Sequence, residues 1–127
     1  MFGIFKKKEE QAAFSFVQSS GFRGFKKFPI VIYGNKEAEA NNEEICKSNL
    51  KGAQIEFRQT ETNGKKALAV FVNGLKIGTV FDEGQIKSMT SGNIEAVYVK
   101  PDAETVADAS GVITRDRAKL FVKYKEQ

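Results

Sequence analysis

The sequence predicts a mainly β fold with one or two short helices (α+β), arranged as a small antiparallel barrel that is closed or nearly closed. Two observations carry this. Roughly six short runs, apolar or alternating, recur along a chain of 127 residues, which is too short for two ordinary domains. Turn dipeptides stand between several of them, clearest at Asn63-Gly64 and Asn73-Gly74, and join antiparallel neighbours. Closing such a sheet hides edges that would otherwise pair with other chains.

The elements follow in order. Residues 8–17 are expected to be helical, with a break at Ser19-Ser20-Gly21. Phe28-Pro29-Ile30-Val31-Ile32-Tyr33-Gly34 is β-branched, ends on glycine and reads as a strand. Residues 37–48 are rich in Glu, Ala and Lys with a thin apolar side at Ala38, Ile45 and Cys46, the pattern of a surface helix.

Ala53-Gln54-Ile55-Glu56-Phe57-Arg58 alternates, as a half-buried strand does. Ala67-Leu68-Ala69-Val70-Phe71-Val72 is apolar throughout, as a strand covered on both faces should be, and Leu75-Lys76-Ile77-Gly78-Thr79-Val80 returns beside it. Asp82 and Gln85 form a capping-box pair flanked by Phe81 and Ile86 at the staple positions. The helix they start should end near Ser91-Gly92. Residues 94–100 read as a strand stopped by Pro101-Asp102, residues 102–110 as an acidic loop or short helix, and 112–114 and 119–124 as closing strands. The architecture is then OB/SH3-like.

Composition narrows the chemistry. The chain has no histidine, which removes Ser-His-Asp and Cys-His catalysis and the usual zinc sites. Its single cysteine, Cys46, forms no intramolecular disulfide and lacks an activating base. No GxxxxGK[ST] or GxGxxG motif occurs. The chain is expected not to be an enzyme and to need no cofactor or metal. No apolar run reaches the length of a membrane span, and no secretory pattern opens the chain, so a cytoplasmic location is expected.

Charge and aromatics concentrate at one end. Residues 1–28 carry Lys6, Lys7, Lys8, Arg23, Lys26 and Lys27 against Glu9 and Glu10, which accounts for the whole net charge of +4. Seven of the eleven phenylalanines lie there too, at 2, 5, 14, 16, 22, 25 and 28. The expected organisation is a basic, Phe-rich arm at 1–28 and a single β-barrel domain at 29–127. Gly21-Phe22-Arg23-Gly24-Phe25-Lys26-Lys27-Phe28 interleaves rings, cations and glycines, a mix suited to single-stranded DNA or RNA. The same rings could instead plug into the barrel or a partner. Phe2, Ile4 and Phe5 beside three lysines could sit at an anionic membrane surface.

From Pro29 to Gly92 the order of elements resembles the HIRAN domain, a small OB-like barrel found alone in bacteria and fused to DNA-remodelling enzymes in eukaryotes. Val31-Ile32-Tyr33-Gly34, Leu50-Lys51-Gly52-Ala53-Gln54-Ile55-Glu56-Phe57-Arg58, Ala67-Leu68-Ala69-Val70 and Gly74-Leu75-Lys76-Ile77-Gly78-Thr79-Val80 carry the resemblance. It implies a bacterial-type small protein that binds single-stranded DNA. Where the family often has an arginine and aromatics after its first glycine, this chain has Asn35-Lys36-Glu37, implying a less selective surface.

The candidate nucleic-acid contacts are Phe22, Arg23, Phe25, Lys26 and Lys27 of the arm, with Tyr33, Lys36, Arg58, Lys65 and Lys66 of the barrel. The alternative is a protein-interaction or structural module, with a protein partner or a homodimer formed by self-association.

Overall fold

The computed structural model describes residues 13–126. Along the chain run β1 (Ala13–Val17), α1 (Lys36–Cys46), β2 (Gln54–Thr62), β3 (Lys65–Val72), β4 (Leu75–Val80), α2 (Glu83–Met89), β5 (Ile94–Asp108) and β6 (Gly111–Tyr124). β1 to β4 form an antiparallel meander in sequence order, and β5 pairs with β6 in a separate two-stranded ribbon. The fold is mainly β with two helices, as the alternation predicts, but its strands divide between two sheets.

The meander forms where local chemistry is strongest. Asn63 and Gly64 both take positive φ, as do Asn73 and Gly74, so each dipeptide closes a two-residue hairpin whose twist matches its strands. Ile55 and Phe57 of β2 and Leu68, Val70 and Val72 of β3 point into one core with Ile45, Ile77, Val80, Met89, Val97, Val99 and Leu120. Asp82 caps α2 by accepting a hydrogen bond from the Gln85 amide (2.9 Å), and Asn35 caps α1 by accepting from that of Ala38 (3.0 Å).

Three expectations fail, each for a physical reason. The helix expected over 8–17 begins outside the described residues, and 13–17 is a strand. Phe14 and Phe16 pack on the core and Ser15 and Val17 face outward, so tertiary burial overrides helix propensity. The strand expected over 28–34 is an extended segment with bridges only at Ile30 to Leu120 and Tyr33 to Thr79. It crosses from one sheet to the other instead of lying along either.

The strand expected to stop at Pro101 continues to Asp108, and the acidic loop and two closing strands expected beyond it are the rest of one hairpin. Pro101 lies opposite Ala118, whose amide donates to Asn42 Oδ1 (2.8 Å), away from the ladder. The 101/118 pair is therefore one whose N–H groups point outward, and a proline there loses no ladder bond.

Two seams join the sheets. At the first, Gln18 makes a parallel bridge with Val97, and its side-chain amide exchanges two 2.8 Å hydrogen bonds with the backbone of Val99. At the second, residues 30–33 run between β6 and β4, with Ile30 donating to Leu120 O and Tyr33 exchanging bonds with Thr79. α1 covers this seam. Asn42 donates to Ile77 O of β4 (3.1 Å) and accepts from the Ala118 amide of β6, so one buried side chain spans the gap.

Candidate nucleic-acid interface

The basic aromatic segment folds onto the ribbon. Phe25 donates its amide to Phe22 O (3.3 Å) across a turn in which Gly24 takes φ +87°, so both rings leave the same side of the loop. The rings stack on each other at 5.4 Å, nearly parallel. Phe22 also meets Phe121 edge-on at 4.7 Å and Tyr98 at 5.3 Å, and Phe25 lies 6.0 Å from Tyr98.

Tyr98 and Phe121 are cross-strand partners on β5 and β6. They leave the ribbon on the face opposite the buried Val97, Val99, Leu120 and Val122. Four rings thus make an aromatic layer outside the main core, each pair worth about 0.5–1.5 kcal/mol beyond area burial.

Cations surround this layer. Lys100 Nζ stands 5.6 Å from the Phe22 ring centroid. Lys119 pairs with Asp102 (3.4 Å) and Lys123 with Glu95 (3.5 Å), while Arg23, Lys26 and Lys27 of the loop are exposed. The Ala103 amide, with Lys119 second, holds the Asp102 carboxyl below its ordinary range. Phe28 closes the segment at 85% exposure, with no ring partner among the described residues.

The remaining candidates lie elsewhere and apart from one another. Tyr33 is 60% exposed, has Phe81 6.1 Å away and borders a cavity of about 310 Å³ with Asn35, Lys76 and Thr79. Lys36 is exposed at the first position of α1. Arg58 is not a free cation: it bonds Glu56 Oε1 at 2.8 and 3.0 Å, and its guanidinium lies 4.0 Å from the Phe71 ring centroid.

Lys65 and Lys66 lie at the β2–β3 turn and line a groove of about 590 Å³ with Gln59, Glu83, Lys87 and Thr90. The loop cluster is the one place where the sequence candidates converge. Lys100 of β5 and Lys119 and Lys123 of β6 add to its charge; the sequence does not single them out, because their strands look unremarkable until the loop is laid upon them. Phe2, Ile4, Phe5 and the lysines at 6–8 lie outside the described residues.

No described group of three His, Cys, Asp or Glu side chains could hold a metal ion, and no described helix is long and apolar enough to cross a membrane. Burial pushes the Cys46 thiol above its ordinary pKa. Comparison with protein-family models, curated proteins and solved structures finds no match to the chain.

Proposed function

We propose that this chain is a non-catalytic module that binds single-stranded nucleic acid across the outer face of β5 and β6. The observation that supports the reading is an aromatic layer on that face with Lys100 beside it, packed under a loop that also carries the exposed Arg23, Lys26, Lys27 and Phe28. Phe22 and Phe25 are occupied by each other and by Tyr98 and Phe121, so they build the platform. The stacking ring is Phe28, preceded in the chain by Lys26 and Lys27. Bases stack on such rings and phosphates meet the lysines without sequence readout. The two seams support a nearly closed, OB-like barrel beneath this face, in keeping with the HIRAN resemblance.

The test is a titration of a fluorescent oligothymidylate of about twelve residues with the full chain, at about 50 and about 200 mM salt. Phe28→Ala should weaken binding by about 1–3 kcal/mol. The double change Lys26→Ala with Lys27→Ala should flatten the salt dependence by a slope of about 1.4. Absence of binding at the lower salt, or both variants matching the parent, sinks the reading.

A second reading, self-association or docking of a protein partner, has its own observation. From Asp102 to Thr114 every residue whose burial is described is exposed, including Val112 at 71%. A two-stranded ribbon whose described residues are exposed is marginal by itself and presents open edges. Light scattering across a concentration series tests it; a monomer at all concentrations rules out self-association.

A further inference from the structure

Beside the aromatic layer, where the chain leaves β1, lies a groove of about 620 Å³. Residues 18–20, the turn at 48–52, and Tyr98, Val99 and Pro101 of β5 line it. We propose that this groove receives one unstacked nucleobase of a bound single strand, an inference that rests on the functional reading above.

Continuity with the platform argues for it first. Tyr98 lines the groove and is also the ring against which Phe22 and Phe25 pack, so a strand crossing the layer arrives at the opening without a gap. The volume falls within the range of small-molecule sites, about 300–1,000 Å³.

Chemistry argues next. The lining carries hydroxyl and amide groups at Ser20, Ser48 and Asn49 and a cation at Lys51, with no carboxylate. The comparable groove at Lys65 and Lys66 contains Glu83. Among the described residues the Ser20 hydroxyl has no hydrogen-bond partner and Lys51 no ion pair, so both are available. Asn49 spends its Oδ1 on the Lys51 amide (3.0 Å), which leaves its Nδ2 to donate to a base edge.

The walls are formed in advance. The Ala53 amide bonds Leu50 O (3.0 Å) and Ser48 Oγ bonds Ile45 O (2.9 Å), which fixes the turn. The Gln18 amide and the Val99 backbone already satisfy each other, so neither competes for the base.

The experiment places 2-aminopurine at one position of the oligothymidylate and follows its fluorescence and the backbone amide shifts of the full chain. Parent protein should shift the amides of Ser20, Asn49 and Gly52. Ser20→Trp, which fills the groove from an exposed position, should weaken binding roughly tenfold and remove those shifts. Lys51→Ala should weaken binding about threefold without disturbing the fold, as loss of a single phosphate contact does. Phe28→Ala should weaken binding yet leave the groove shifts in place at saturation.

Parent-like affinity in both Ser20→Trp and Lys51→Ala overturns the groove while leaving the functional reading intact. No binding of any oligonucleotide by the parent overturns both.

Discussion

Asn42 is 3% exposed and its side chain makes three hydrogen bonds, to Ala38 O, to Ile77 O and from the Ala118 amide. Asn42→Leu should destabilise the protein by about 3 kcal/mol, because a buried donor and a buried acceptor lose their partner together. A change below about 1 kcal/mol in urea unfolding would show that the seam holds without it. Tyr124 is the opposite case. Its hydroxyl is buried without a partner, and burial raises its pKa. Its contribution to stability is present below the ordinary tyrosine pKa and lost as pH rises through the higher folded value. Tyr124→Phe should therefore leave neutral-pH stability unchanged or improved by up to about 1 kcal/mol, and should remove that alkaline loss. Neither residue was legible in the sequence. An asparagine among glutamates and alanines looks solvated, and only the two strands it joins reveal its role. Gln18 was hidden in the same way.

The meander was legible because its information is local: two Asn-Gly turns, an alternating strand and a continuous apolar one lie next to each other. The ribbon was not, since reading Pro101 correctly requires knowing which way the Ala118 amide points. β1 was missed because a five-residue strand offers too few alternations to compete with flanking charge. Amides of residues 103–114 should exchange with solvent far faster than those of β2, β3 and β4, as expected for a ribbon that buries little. Hydrogen-exchange mass spectrometry decides this, and protection of the tip equal to that of β3 would mean that something covers it. In the candidate site, residue types were legible and their arrangement was not. The loop sequence announced rings beside cations, but Phe22 and Phe25 turn toward the ribbon, and Phe28 is left facing water.

At the scale of the molecule, the expected division between an arm and a domain meets a sheet in which residues 13–17 already pair with β2. Removing residues 1–28 would strip β1, the Gln18 seam and the cover over Tyr98 and Phe121 in one step. Such a chain should lose its cooperative thermal transition; a sharp melt close to that of the full chain would place the boundary where composition suggested. Point changes at Lys26, Lys27 and Phe28 avoid this difficulty, as all three side chains are exposed. The charge asymmetry keeps its meaning in the folded molecule, because the loop that carries Arg23, Lys26 and Lys27 packs its rings on the outer face of β5 and β6.

The two seams also order events in time. The Gln18–Val99 bonds link positions 81 residues apart and the Asn42–Ala118 bond positions 76 apart, whereas the β2–β4 meander closes within a short local stretch. Long closures cost more chain entropy and come late. A ribosome must therefore release β5 before the first seam can form and β6 before the second can close, leaving the meander with open edges until then. Asn42→Leu should accordingly speed unfolding and hardly alter the refolding rate, a kinetic signature that equilibrium melts would not reveal.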